Sequence, residues 1–504
     1  MDLKLHTYHL SLHTYHLSLE IMKALPYLFV VGLFGLFACN NLLTRGMFMD
    51  GLIYTSVAAN MAEGVGSFWH PVYTATQFPQ FYEHPPLMMW LLSLWMRLFG
   101  TSMMAAKGYS VAVVLLTAAL TVAVWKQLLS SVKCEVISGK YEGFAIDGCR
   151  IHTSHFTLHT CTNAWLPLLA LTLIPDVALA AHNNYLESTM TLFVLAAVWL
   201  VLRGKGVGWH LLAGVMLAAA FLTKGPTGLF PLALPALLWL FGTRKGFGQA
   251  AVGTLAMAAG LAAPMALLWF CVPDAQEFLR KYFENQVIGG SQVLVTERTY
   301  IVKTLFSHTA VVLVVALAVV LFGILKKSAP LRPTRDSWRR FGLVFAIALC
   351  GTLPMMVSTK QRAFYLLTVF PFVALAVAAL LEPSARHMEK QLQRPAMTVA
   401  TVAVLMAAVI TNALHYGKPG RDKAMLHDMD VMAAEVHDGE TVALAPEQAS
   451  NNSLHGYWYF YHRVTLDANA QHRHLIAADD VADTTYIEVP LPTEEYRLYR
   501  LLEE

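Results

Sequence analysis

The chain has 504 residues, of which 56% are hydrophobic and only 14% charged, with a formal net charge of +3. A soluble core cannot hide so large an apolar share, so the composition excludes a soluble multidomain protein and implies a membrane protein. The small net charge, with Lys and Arg scattered through short loops instead of gathered on a stripe, excludes nucleic acid as a partner.

The N-terminal residues 1–23 contain "HTYHLSL" twice in succession, at 6–12 and 13–19, and read as a disordered cytoplasmic leader. Met22, just before the first apolar stretch, is a candidate natural start, and no signal peptide with a cleavage site is evident. The first span is therefore expected to stay in place as an anchor. Apolar stretches long enough to cross a ~30 Å hydrocarbon layer recur from residue 24 to residue 415. They give spans near 24–44, 108–126, 163–181, 188–202, 209–223, 226–241, 249–272, 304–325, 341–358, 363–381 and 397–415, about eleven by the ~20-residue criterion. Residues 86–100, "PLMMWLLSLWMRLFG", read instead as a helix lying along the interface, since Trp90, Trp95 and Arg97 suit that depth.

Between the second and third spans, residues 134–162 form an insert containing "HTSHFTLHT", a relative of the N-terminal repeat. His152, His155, His159 and Cys161, with Cys134 and Cys149 nearby, suggest a metal, but no tight Cys-x-x-Cys pair is present, so the insert is read as metal-free. Cys39, Cys271 and Cys350 lie in apolar spans and read as small packing residues. With a cytoplasmic N-terminus, the loops "RGK", "TRK", "KKSAPLRPTRDSWRR" and "SARHMEKQLQR" fall inside, as the positive-inside rule requires. The odd span count then places the tail, residues 416–504, outside. There "DKAMLHDMDVMAAEV" reads as a helix and "DGETVALAPEQ", "GYWYFYHRVTL" and "TTYIEVPLP" as strands, a small α/β domain.

Ionisable residues recur at the outer ends of these spans: Asp50 in the first long loop, Glu83 and His84 before Pro85 and Pro86, Glu187, Lys224, and Lys360 with Arg362. Such groups cost at least a few kcal/mol at membrane depth unless they pair or line a wet cavity, so their recurrence on one face implies a shared polar site. Taken singly, each has a simpler reading. The lysines would snorkel to headgroups, Asp50 would cap a helix, and Glu83 and His84 would pair at the Pro-Pro turn. Together, the carboxylates supply a general base and the cations a clamp for phosphate. No Gly-rich phosphate loop or Walker pattern is present, which fits a lipid-linked donor rather than a soluble nucleotide.

The segments "MDGLIYTSVAANM", "FYEHPPLMMWLLSLWMRLFG", "NNYLESTMTLF", "LTKGPTGLFPL" and "STKQRAFYLLTVFPFVALA" resemble the bacterial branch of the GT-C membrane glycosyltransferases, over about residues 24–385. The protein O-mannosyltransferases and the lipid A 4-amino-4-deoxy-L-arabinose transferases look most similar. The resemblance implies an α-helical polytopic GT-C fold with outer juxtamembrane helices, residues 24–415 as catalytic domain, and an active site and C-terminal domain on the periplasmic side of a bacterial inner membrane. It implies transfer of a sugar from a polyprenyl-phosphate donor to a hydroxyl of a protein, lipid A or another glycan, with no cofactor required and a divalent metal optional. Asp50 then matches the acidic residue of the first outer loop, as base or acceptor-orienting group, and Glu187 the second acidic position. Lys224 matches the lysine of the Lys-Gly-Pro hairpin, and Lys360 and Tyr365 match a late loop and span that face the donor phosphate, with Arg362 and His84 as further phosphate contacts. Two departures stand out. The family's Asp-Glu pair is Asp50-Gly51 here, so the second carboxylate is missing or comes from Glu83 or Glu187, and the arabinose transferases tend to have Lys where this chain has His84. The rival class is a transporter or flippase, which favours broken helices at the bilayer centre and internal repeats. A third reading is an inactive relative that only binds lipid-linked sugar.

Overall fold

A computed structural model describes residues 22–39, 41–138, 163–243, 246–288, 296–326, 331–358, 360–392, 394–481 and 483–502. The N-terminal repeat and the His and Cys residues of the insert from Cys149 onward lie outside the described residues.

Among the described residues, six helices have the length and apolarity to cross a bilayer. The first of these in the chain, Met103–Ser138, continues twelve residues past the predicted end at 126 into the start of the insert. The others are Leu186–Arg203, Val207–Lys224, Phe247–Cys271, Arg335–Val357 and Pro395–His415. Tyr300–His308 and Ala310–Leu325 make one more candidate, bent by 58° at Thr309. The remaining predicted spans are shorter or broken, and proline explains most breaks, because it removes a backbone donor and crowds the preceding turn. Residues 163–181 form two helices, Trp165–Thr172 and Pro175–Ala180, split just before Pro175. Residues 226–241 open as a 3-10 turn, Pro226–Ala233, containing Pro231, before Leu234–Leu240. The last broken segment is a 3-10 turn, Ala363–Thr368, ahead of the buried helix Phe370–Leu392, which has Pro371 at its second position.

In chain order, the helices used below are α1 (Met22–Ala38), α2 (Met49–Glu63), α3 (Leu87–Phe99), α4 (Met103–Ser138), α5 (Leu186–Arg203), α6 (Val207–Lys224), α7 (Phe247–Cys271), α8 (Pro273–Tyr282) and α9 (Tyr300–His308). The 13-residue α3 is about 20 Å long, too short to span. It buries Met88, Met89, Leu92 and Met96 on one face, while Leu98 and Phe99 at its end stay exposed. By contrast α2 is buried on all sides from Gly51 to Met61.

The tail adds helices α10 (Lys423–Met432) and α11 (Asn452–His462) and a five-stranded sheet. Its strands are β1 (Thr441–Leu444), β2 (Thr465–Asp467), β3 (His474–Ala477), β4 (Tyr486–Val489) and β5 (Arg497–Leu501), in the order β2-β1-β3-β5-β4. β1 pairs in parallel with β2 and β3, whereas β5 is antiparallel to β3 and β4. The expected strand over "GYWYFYHRVTL" is corrected: most of it is α11. Asn451 accepts from the Leu454 amide as N-cap, and Leu454, Tyr457 and Trp458 recur at helical spacing on a buried face. That spacing outweighs the β preference of the aromatics.

The tail is not a separate globule. One core joins Leu52, Val57 and Met61 of α2, Met88 and Leu92 of α3, Met425 and Met429 of α10, and Tyr457 and Trp458 of α11. Asn60 of α2 donates to the Val72 and Tyr73 carbonyls at 2.9 and 2.8 Å and accepts from the Tyr459 hydroxyl at 3.1 Å. Arg45 forms a two-toothed ion pair with Asp430 at 2.5 and 2.7 Å.

α6 and α7 touch backbone to backbone. A Cβ at Gly214 would lie 2.1 Å from the Met257 carbonyl oxygen, and one at Gly260 would lie 2.1 Å from that of Leu211. Small residues at such crossings let helices approach closely where no water drives them together. Gly214→Leu is therefore expected to lower the thermal unfolding midpoint in detergent, at a cost of about 1–3 kcal/mol or more. Gly208→Ala, on the same helix where nothing lies within 4 Å, should leave it unchanged.

Candidate active site

The site is built on two helix ends. Glu187 stands in the first turn of α5 and Lys224 is the last residue of α6, so each charge opposes the partial charge of its own helix terminus. Their side chains form an ion pair that is almost wholly buried, at 2% and 7% exposure. The Lys224 ammonium also lies 4.1 Å from the centroid of the Tyr365 ring and 5.4 Å from that of Phe364. Cation–π attraction adds to the pairing at such distances. After Lys224 the chain reverses at Gly225, with φ +88°, and a Cβ there would lie 2.1 Å from the Tyr282 hydroxyl. That hydroxyl donates to the Lys224 carbonyl at 3.3 Å, closing the end of α6.

Asp50 enters from α2. The expected capping role is corrected: Phe48 is the N-cap, Asp50 lies inside the first turn, and no side chain caps the helix. The two asparagines before Glu187 register α2 against α5. Asn183 accepts from the Phe48 amide at 2.7 Å. Asn184 donates to Thr55 at 2.8 Å and accepts from Ser110 of α4 at 2.5 Å. Gly51 packs tightly here: a Cβ would meet the Asn184 amide nitrogen at 3.0 Å and Met47 Sδ at 3.1 Å. Phe48, Tyr185 and Phe364 form an aromatic wall, with Tyr185 stacked on Phe364 at 4.9 Å. Burial pushes the Asp50 carboxyl above the ordinary carboxylate range, opposed by Lys224 and Arg362. Asp50 has no hydrogen-bond partner among the described residues, which leaves its oxygens available.

Tyr54, one turn along α2, is buried and within electrostatic reach of Asp50, Glu187, Tyr365 and Glu83. It joins the centre to a rim of Glu83, His84 and Lys360. Glu83 does not pair with His84 as the Pro-Pro turn suggested: its carboxylate accepts from the Gln286 amide, four residues beyond the end of α8. Burial raises the Glu83 pKa, opposed by Lys360 and by that hydrogen bond. The His84 ring lies edge-on to Tyr54 at 5.7 Å, and its Nδ1 is inaccessible and without a partner among the described residues. Burial, helped by Lys224, holds His84 well below its usual pKa, so it enters the rim as neutral imidazole rather than as a cation.

The structure thus gathers Asp50, Glu187, Lys224, Tyr365 and Arg362 at the centre and Glu83, His84 and Lys360 at the rim. Tyr54, Tyr185, Phe364, Asn183, Asn184 and Gln286 were not singled out from sequence. Only "HNNYLE" held a signal, two amides four and three residues before a buried acid. Among the described residues, no group of three or more His, Cys, Asp or Glu is placed to hold a metal ion.

The fold these elements make is that of the GT-C membrane glycosyltransferases. The structure of ArnT from Cupriavidus metallidurans bound to undecaprenyl phosphate matches with a TM-score of 0.59 and 14% identity, over 93% of this chain and 96% of that one. The apo form of the same protein matches with a TM-score of 0.59 and 12% identity, over 97% and 98%. The oligosaccharyltransferase AglB from Archaeoglobus fulgidus, in complex with an inhibitory peptide and a dolichol-phosphate, gives a weaker match: TM-score 0.43, 11% identity, 89% of this chain and 60% of that one. No family model and no curated protein matches the sequence.

Breaking a buried ion pair strands a charge at a cost of about 3–5 kcal/mol, whereas replacing both partners with apolar groups is often neutral. Lys224→Met is accordingly expected to lower the unfolding midpoint in detergent sharply, and Lys224→Met with Glu187→Leu to recover most of the loss.

Proposed function

We propose that this chain is an integral-membrane glycosyltransferase that moves a sugar from a polyprenyl-phosphate donor to an acceptor hydroxyl. The reading rests above all on one observation: a carboxylate, Asp50, that has no hydrogen-bond partner among the described residues and lies within electrostatic reach of a buried lysine that a second carboxylate, Glu187, holds in place. The GT-C fold and the undecaprenyl phosphate named for the ArnT structure support a lipid-phosphate donor. The lysine- and arginine-rich loops at the opposite end of the spans support a periplasmic site in a bacterial inner membrane. In this reading residues 24–415 are the catalytic domain and residues 416–504 cover the acceptor side.

The chemistry follows from the charges. The acceptor oxygen forms a bond to the anomeric carbon, and the bond from that carbon to the phosphate oxygen breaks with inversion, its electron pair leaving on the phosphate. Asp50 takes the hydroxyl proton as general base. Lys224, Lys360 and Arg362 meet the negative charge that grows on the leaving phosphate, where cations lower the barrier most. Glu187 pairs with Lys224 and keeps it aimed. Tyr365 braces that ammonium with its aromatic face, and Glu83 and neutral His84 line the entry. Which sugar moves, and whether to a protein, lipid A or another glycan, is set by contacts beyond this catalytic core.

The test is transfer of a labelled sugar from polyprenyl phosphate by the purified protein. Asp50→Asn is expected to slow transfer by about 10²–10⁴-fold, and a rate equal to wild type would remove Asp50 from the mechanism. The pH profile carries the sign of the Asp50 shift. A base works deprotonated, so kcat/KM should fall as pH drops through a midpoint above the ordinary carboxylate range, and Asp50→Glu should move that midpoint.

A further inference from the structure

Gln361 lies between the two exposed cations Lys360 and Arg362, yet its own side chain is 0% exposed. All its side-chain hydrogen-bonding capacity on the amide nitrogen is used. Nε2 donates to the Arg298 carbonyl at 3.1 Å and to the Ser358 carbonyl at 3.0 Å, and Oε1 accepts from the Ile301 amide at 2.8 Å. The Gln361 backbone amide donates to Thr296 Oγ1 at 3.1 Å. Ile301 is the second residue of α9, so Gln361 satisfies one of the amides that a helix start leaves open. Ser358 in turn donates through its hydroxyl to the Lys360 carbonyl at 3.0 Å.

The consequence lies in the backbone. Arg362 is extended, at φ −134° and ψ 147°, and side chains of extended residues alternate in direction. Anchoring residue 361 inward therefore turns residues 360 and 362 to the opposite side together. Arg362 acts electrostatically on Asp50 and Lys360 on Glu83, so this loop carries one cation to each half of the site.

We propose that Gln361 is a positioning residue that sets Lys360 and Arg362 against the phosphate of the lipid-linked donor. The proposal rests on the glycosyltransferase reading above. An amide is required at this position: Glu offers no donor to the two carbonyls, and Leu leaves those carbonyls and the Ile301 amide unpaired.

The experiment measures binding of polyprenyl phosphate and of neutral polyprenol to the full-length protein in detergent micelles. Wild type is expected to prefer the phosphate; equal affinity for the two would sink the glycosyltransferase reading itself. Gln361→Glu and Gln361→Leu should weaken phosphate binding by about tenfold, the loss of one hydrogen bond to a charged group, with polyprenol binding unchanged. The preference should also become less sensitive to salt. Thr296→Val, which removes the acceptor for the Gln361 backbone amide and leaves the Gln361 side chain in place, should produce a smaller loss in the same direction and keeps the test open if the Gln361 variants do not fold. A Gln361→Leu protein with wild-type preference, alongside Lys360→Gln and Arg362→Gln proteins that lose it, would overturn the positioning role. So would a Thr296→Val protein identical to wild type when the Gln361 variants are unfolded.

Discussion

The buried pair of Glu187 and Lys224 is the constraint around which the site is arranged. Two charges away from water are tolerated only when each compensates the other, so the first turn of α5 and the last residue of α6 cannot part without exposing a large penalty. The opposing helix dipoles, the Tyr365 face beneath the ammonium and the Tyr282 cap on the α6 carbonyl all act in the same direction. The pairing leaves Asp50 as the acid without a hydrogen-bond partner among the described residues, in contrast to the fully engaged Glu187.

Around this pair the chain uses neutral amides as spacers. Asn183 and Asn184 hold α2 at a fixed offset from α5, and Gln286 reaches Glu83 from beyond α8. Amides suit the task because each donates and accepts without adding charge to a site whose field is already determined by few groups. Electrostatic preorganisation of this kind lowers a barrier without having to reorganise during the reaction.

The apolar spans and the charged residues at their ends were legible because each has a local signal: a run of ~20 apolar residues, or an ionisable group where none is expected. Asp50, Glu187 and Lys224 were found that way. What escaped was decided by distant contacts. The bend at Thr309 has no proline to announce it, the second strand expected in the tail became α11 because its aromatics had α2 to bury against, and Tyr54 carries no charge to set it apart from its neighbours in α2. His84 shows the same limit. Its position before two prolines was visible, but its neutrality follows from burial beside Tyr54 and from the nearness of Lys224, neither of which is written in the local sequence.

Asn60 ties the first loop to α11 through Tyr459, 399 positions later in the chain. A ribosome adding about 5–20 residues per second needs roughly 20–80 s to cover that interval. Throughout it the part of α2 that packs against α11 stays open. Asp50 is thus made early, but the packing around its helix is complete only when the final stretch of polypeptide arrives.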